Sequence, residues 1–254
     1  MADRTPQTTL ITGASSGLGA EMARQLAAKG HDLALVARRT DRLEALRDEV
    51  ATAHPDRRVE LRQLDVTDEA AVARVVPELD EALGGLDRVV VNAGLGKGAP
   101  IGTGRGEANR ETITANVLGA LATAEAALEL FRARGRGHLV VVSSMSAVRG
   151  LPKAMTAYAA SKAAVASLAE GLRHELLGTG IDVTTLYPGY IASEMNDQPP
   201  GQQPPMMVST EKGVRAMVAA IEARKAEAYV PALPWALLRP VMEHAPLPLF
   251  RRLV

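Results

Sequence analysis

The sequence predicts an α/β protein: a doubly wound, seven-stranded parallel sheet with helices on both faces, in a single domain. Three observations carry this. Short apolar runs rich in β-branched residues alternate strictly with helical stretches, the pattern of a sheet covered on both faces. A glycine-rich stretch joins the first strand to the first helix. No internal repeat and no second composition zone marks another domain across the 254 residues.

Taken in order, strands are expected at Thr8–Thr12, Asp32–Ala37, Val59–Asp65, Leu86–Asn92, His138–Ser143, Asp182–Tyr187 and Ala228–Val230. Helices are expected between them. Gly17–Gly30 closes on a C-terminal glycine. Asp41–Ala53 follows, and Asp68–Leu83 begins with two carboxylates at its positive end. One long helix runs from Glu107 to Arg134, another over Met155–Leu177, and a last one over Glu211–Glu222. Residues 1–231 form the expected catalytic domain. Ile191–Ser209, rich in Pro, Gln and Met, breaks the alternation and reads either as a lid at about residues 190–210 or as a solvent loop. Residues 232–254 form a tail of Trp, Pro, Leu and Arg. It is expected to pack on its own domain or on a partner subunit; an interfacial amphipathic segment touching a membrane is the less favoured reading.

Composition excludes several functions. Lys+Arg and Asp+Glu are balanced at 29 each, so no basic field draws nucleic acid or anionic lipid. The cluster Arg132, Arg134, Arg136 has no interleaved aromatics and reads as a solvated turn, so no nucleic acid is expected as a partner. There is no cysteine, hence no thiolate nucleophile and no Cys-ligated metal. The five histidines are scattered without metal-binding spacing, so no metal is expected. The first six residues are polar, and no apolar run approaches the ~20 residues of a bilayer span. The expectation is a cytoplasmic, soluble protein.

Two stretches carry chemistry. Thr12-Gly-Ala-Ser-Ser-Gly-Leu-Gly19 spaces Gly13, Gly17 and Gly19 where a strand meets a helix. Glycines there permit a tight turn and close approach of the backbone to a pyrophosphate, which the helix N-terminus attracts. A βα turn without a ligand would read the same way. At the end of the second strand, where NAD sites carry a carboxylate for the ribose 2′-hydroxyl, the sequence has Arg38-Arg39. Two guanidiniums there point to a 2′-phosphate, hence NADP(H); the alternative is a solvated pair. The second stretch is Ser143 to Lys162. Tyr158 and Lys162 stand four residues apart, on one helical face. An ammonium beside a phenol lowers its pKa from ~10 and fits it for proton transfer. Alone, the pair fits any amphipathic helix equally well.

With these residues in place, the sequence resembles a compact, single-domain short-chain dehydrogenase/reductase over about residues 7–231. The resemblance rests on Thr12–Gly19, Asp65-Val66, Asn92-Ala93-Gly94, Asn116, Ser144, Tyr158, Lys162 and Pro188-Gly189. It implies a Rossmann-type fold and hydride transfer between a nicotinamide and a carbonyl or secondary alcohol of a small substrate; Met195, Met206 and Met207 in the expected lid point to an apolar one. It implies that Tyr158 is the general acid/base, that Ser144 holds the substrate oxygen, and that Lys162 lowers the tyrosine pKa and binds the nicotinamide ribose. Asn116 would hold a water linking Lys162 to solvent. Asp65 and Val66 would flank the adenine, and Asn92-Ala93-Gly94 the cofactor floor. Pro188-Gly189 and Ile191 would border the nicotinamide, with Ser15, Ser16 and Leu18 in the glycine loop. Thirteen residues separate Ser144 from Tyr158 where the family usually has twelve, the extra one falling after Pro152. Ser143, on the opposite face of its strand, is the structural serine, and Ser146 a competitor. Met145, Ser146, Arg149 and Tyr190 are expected in the substrate pocket. The small residues of the helices carrying Asn116 and Tyr158 (Ala120, Ala124, Ala163, Ala166) suit either a homodimer or homotetramer surface or packing on their own sheet. A cofactor-sensing regulator or membrane-associated binding protein on the same fold is the alternative to an enzyme.

Overall fold

The computed structural model describes residues 7–196, 204 and 206–251. The elements are β1 (Thr8–Thr12), α1 (Gly17–Ala27), β2 (Asp32–Ala37), α2 (Thr40–Ala53), β3 (Val59–Gln63), α3 (Glu69–Leu83), β4 (Arg88–Val91), α4 (Gly106–Ile113), α5 (Gly119–Arg134), β5 (Gly137–Val142), α6 (Met155–Glu175), β6 (Ile181–Pro188), α7 (Thr210–Glu222), β7 (Glu227–Val230), α8 (Ala232–His244) and α9 (Leu247–Phe250). The strands form one parallel sheet in the order β3-β2-β1-β4-β5-β6-β7.

β1, β2, β4 and β5 are buried along their whole length, which is why their centres are apolar and their polar residues, Thr8, Thr9, Thr12, Asp32, Arg88 and His138, fall toward the strand ends. One core layer packs α3, α5 and α6 on the sheet through Val72, Leu79, Ala127, Phe131 and Val165. The other packs α1, α2 and α7 through Met22, Leu26, Leu43, Met217 and Ile221. Each fully buried Val, Leu, Ile, Met or Phe side chain contributes about 1.5–3 kcal/mol relative to exposure. Asp68 caps α3 by accepting a hydrogen bond from the Ala71 amide at 3.0 Å, so this carboxylate precedes the helix rather than opening it. Gly84 and Gly135 end α3 and α5 in left-handed backbone.

The single helix expected over Glu107–Arg134 is instead interrupted. A π-helical turn over Thr114–Leu118 separates α4 from α5. The extra residue in this turn accompanies an inward-facing Asn116, 2% exposed, whose amide bonds the Leu95 backbone. The composite helix Gly106–Arg134 also passes the length and composition test for crossing a membrane, which the run-length reading had excluded. Half of its most apolar window is buried in the fold, so those apolar residues serve the core. The tail folds into α8 and α9, two short helices that proline-rich composition did not announce. Residues 197–203 and 205 of the expected lid lie outside the described residues. The ends of that loop meet: Ile191 and Val208 form a parallel bridge, with Ala192 N donating to Val208 O at 2.9 Å and Val208 N to Tyr190 O at 3.0 Å.

Candidate active site

In a doubly wound sheet the ligand crevice opens beyond the C-terminal strand ends, where strand order reverses. Here the reversal lies between β1 and β4. A cleft of about 2110 Å³ opens there, lined by most of the residues singled out in the sequence; Asn116 and Arg149 do not line it. Drug-sized pockets reach about 1,000 Å³, so this cleft has room for a dinucleotide-sized ligand together with a second molecule.

The glycine loop folds onto the β4 end. Thr12 Oγ1 accepts from the Asn92 and Ala93 amides at 3.0 Å each, and Asn92 Nδ2 donates to Thr12 O at 2.9 Å. Gly13 sits at φ +68°, and its missing Cβ would fall 2.9 Å from Ala93 Cα. A Cβ on Gly19 would fall 2.3 Å from Gly13 O and 2.7 Å from Asn92 Nδ2. The loop is thus compressed to a width only glycine allows, with α1's N-terminus and the Ser15 and Ser16 hydroxyls facing the crevice. Leu18 and Val66 line the same wall. Val66 packs on Gly119, and Asp65 turns its carboxylate back onto Thr67, accepting from the amide at 3.0 Å and the hydroxyl at 2.8 Å. Arg38 Nη1 lies 3.7 Å from Asp65 Oδ2. Arg39 donates to Ser16 Oγ at 2.8 Å and Ser15 Oγ at 3.2 Å. Amides at a helix terminus, two hydroxyls and two guanidiniums form a donor set that fits a phosphorylated dinucleotide.

At the other end of the cleft, Ser144 and Tyr158 converge. Ser144 begins a 3-10 turn over Met145–Ala147, with its Oγ accepting from Ser146 N at 3.1 Å. The Ser144 hydroxyl lies beside the Tyr158 phenol and favours its ionised form. Ser143 points the opposite way and donates to Lys162 O at 2.7 Å, tying β5 to α6. Ser146 is buried, and its hydroxyl finds no partner among the described residues, which leaves Ser144 as the serine aligned with the phenol. The connection to α6 strains at Lys153, left-handed at φ +60°, in the stretch that holds the extra residue.

The electrostatics correct one expectation. Burial pushes the Tyr158 phenol up, and the Ser144 hydroxyl only partly offsets this. Lys162 does not pull it down. Its ammonium is buried, donates to Val142 O at 2.9 Å, and stands 6.0 Å from the phenol ring centre. Desolvation lowers Lys162 itself to about 8. Asn116 is also differently engaged from what the resemblance implied. Its amide accepts from Leu95 N at 2.6 Å and donates to Leu95 O at 3.0 Å and Ser161 Oγ at 2.9 Å. The side chain therefore braces the loop after β4 against α6. Asn116 Oδ1 and Lys162 Nζ meet over Gly94, whose missing Cβ would lie 3.0 and 3.5 Å from them.

The roof comes from β6 and the tail. Pro188 and Gly189 line the cleft, and Ile191, 1% exposed, packs on Gly213 of α7. Trp235 lies directly on Gly189, where a Cβ would fall 2.0 Å from its Nε1, and meets Tyr190 edge-on at 5.5 Å. Arg149 departs from its expected place in the pocket. Its Nη1 donates to Met242 O at 3.0 Å and to Ala245 O, and its guanidinium stacks 4.8 Å over Phe250. Arg149 thus clamps the tail, and the clamped segment presents Met242, Leu247 and Phe250 to the cleft. No sequence signal links Arg149 to backbone carbonyls 93 and 96 residues away.

Comparison with known proteins agrees with this architecture. Residues 7–203 match the short chain dehydrogenase family. An uncharacterized oxidoreductase of Mycobacterium tuberculosis is 51% identical over 248 residues, covering 98% of this chain and 97% of that protein. Among solved structures, levodione reductase superposes with a TM-score of 0.80 at 28% identity, over 89% of this chain and 95% of that one. An alcohol dehydrogenase from Thermococcus sibiricus complexed with 5-hydroxy-NADP gives 0.77 at 27% identity, over 89% and 96%. The chain belongs to the short-chain dehydrogenase/reductase family and is an oxidoreductase of that family.

Proposed function

We propose that this oxidoreductase is an NADP(H)-dependent carbonyl reductase or alcohol dehydrogenase, with Tyr158 as general acid/base. The observation that carries the reading is the convergence of the Ser144 and Tyr158 hydroxyls in one cleft with the glycine-loop cradle, Lys162 and two arginines at the β2 end. The bound nicotinamide supplies or accepts the hydride. The chain does the rest. Ser144 and Tyr158 direct two O–H groups at one point, where a substrate oxygen gains charge in reduction. Tyr158 gives its proton to that oxygen, and its raised pKa keeps the proton in place until the oxygen becomes alkoxide-like. Lys162 is charged at neutral pH, lines the same cleft, and would hold the nicotinamide ribose. Asn116 fixes the floor on which these groups rest. Full retention of Ser144, Tyr158 and Lys162 in one arrangement favours turnover over a purely cofactor-sensing role.

The substrate end of the cleft is apolar, walled by Met145, Leu151, Met155, Trp235, Met242 and Phe250. An apolar ketone, aldehyde or secondary alcohol fits it. Following NADPH oxidation against a panel of ketones, aldehydes and diketones tests the reading; no turnover with any of them by protein saturated with NADPH would end it. If the Arg149 clamp holds the substrate wall, Arg149→Ala should raise KM for apolar substrates by about tenfold, with cofactor affinity unchanged. An unchanged KM would place the tail outside the substrate site. Leu118 and Leu121 are exposed beside the π-helical turn while Ala120 and Ala124 are buried in their own core. The exposed pair supports a homodimer or homotetramer formed across this helix.

A further inference from the structure

The guanidiniums at the end of β2 already hold a carboxylate from the far side of the cleft. Arg39 Nη1 lies 3.4 Å from Glu194 Oε2, and Arg42 Nη1 donates to Glu194 Oε1. Glu194 starts a short 3-10 turn after β6, 155 and 152 residues from these arginines in sequence. Its neighbour Ser193 leans on the glycine loop, with Ser193 Cβ 3.4 Å from where a Gly17 Cβ would stand. The turn therefore reaches over the crevice from the substrate side and places its carboxylate on the adenosine side. Hydrogen bonding to Arg42 and then Arg39 holds that carboxyl below the usual range, so it is ionised at neutral pH.

We infer that Glu194 sets the cofactor preference of this site by competing with the 2′-phosphate of NADP(H) for Arg39 and Arg42. The inference rests on the NADP(H) reading above. A 2′-phosphate brings nearly two negative charges to the same two guanidiniums. It must displace Glu194 or bear its repulsion, whereas the neutral 2′-hydroxyl of NAD(H) meets neither cost. An exposed ion pair by itself contributes little to stability; the effect here comes from two anions sharing one pair of cations. The same contact links the phosphate to the substrate loop, because the next residue, Met195, packs against Gly96 on the cleft wall.

Trp235, the sole tryptophan, lines the cleft and reports binding by its fluorescence. Dissociation constants for NADPH and NADH should be measured for the wild type and for Glu194→Gln at low and high salt. Glu194→Gln should tighten NADPH binding by about tenfold at low salt and change NADH binding by less than about twofold. The gain should shrink as salt rises. An unchanged NADPH/NADH ratio, or equal weakening of both, would overturn the inference, the latter showing that Glu194 only closes the loop. A wild type that prefers NADH but turns toward NADPH in Glu194→Gln would uphold the inference while failing the NADP(H) reading. A wild type that prefers NADPH, with selectivity unmoved by the substitution, would fail the inference alone.

Discussion

Tyr158→Phe is expected to lower kcat by about 10²–10⁴-fold, the usual contribution of a positioned proton donor, while NADP(H) still binds. The phenylalanine keeps the ring on the cleft wall and removes only the hydroxyl that meets Ser144. The Ser144 hydroxyl survives but then donates into a site without a proton to deliver. Comparing kcat from steady-state reduction with cofactor affinity from Trp235 quenching separates the two effects. Undiminished kcat would remove the proposed mechanism. The pH profile adds an independent reading. Lys162 is protonated below about 8 and loses its charge above it. The ammonium that would hold the nicotinamide ribose is therefore present on the acid side and lost as pH rises through 8, so kcat/KM for reduction should fall there. In Lys162→Met that alkaline limb should vanish, with activity low throughout. A wild-type profile flat from pH 7 to about 10 would show that the ammonium plays no electrostatic part.

Glu222→Ala should destabilise the fold by about 2–4 kcal/mol. At the opposite end of the sheet from the cleft, Arg88 of β4 is 1% exposed and donates to Glu222 Oε1 at 2.8 Å, His138 Nδ1 at 3.0 Å and Gln7 Oε1 at 3.1 Å. Removing the carboxylate leaves a buried guanidinium without its counter-charge. The expected cost falls short of that of a fully buried pair because Glu222 keeps a quarter of its side chain exposed. Urea unfolding measures it. Replacing Arg88 and Glu222 together with methionine should restore most of the loss, since the penalty lies in the unpaired charge. A single variant within 0.5 kcal/mol of wild type, roughly the spread of neutral surface changes, would show that water reaches Arg88.

This cluster also sets an acid limit. Arg88 can only donate, so His138 Nδ1 accepts, and its Nε2–H donates to Thr184 Oγ1 at 2.8 Å. Burial and the adjacent Arg88 charge push His138 down to about 3. The hydrogen bond from His31, followed by the Arg88 charge, holds Glu222 at about 2 against burial. Both folded-state values lie below their unfolded ones, so the unfolded chain binds more protons in acid. The His138 contribution is intact above about 6.5 and is lost as pH falls from there toward 3. That of Glu222 is lost from about 4.5 toward 2. Thermal stability should therefore begin to decline near pH 6, well above the carboxylate range.

The parallel sheet was legible because burial on both faces demands apolar strand centres, and the Leu-, Ile- and Val-rich centres of β1, β2, β4 and β5 show it. The glycine loop was legible because its compression excludes a Cβ at Gly13 and Gly19, so the chemical requirement falls on residue identity itself. The pairing of Tyr158 with Lys162 followed from helical spacing, but its electrostatics did not. Whether an ammonium lowers a phenol depends on distance and desolvation, and here Lys162 turns to Val142 O while burial raises Tyr158. The break at Asn116 was equally invisible, because a π-helical turn costs one residue of register and leaves composition unchanged.

By itself the sequence determined what is local or periodic: strand and helix alternation, the cradle, the Ser144–Tyr158–Lys162 set and the arginines after β2. Only the tertiary structure decided which long-range partners those groups take. Arg149 clamps carbonyls in the tail, Trp235 seats on Gly189, and Glu194 answers Arg39 and Arg42 across the cleft. The reason is physical. A backbone carbonyl or a lone carboxylate carries no spacing signature, and its partner is chosen by how the packed layers bring distant segments together.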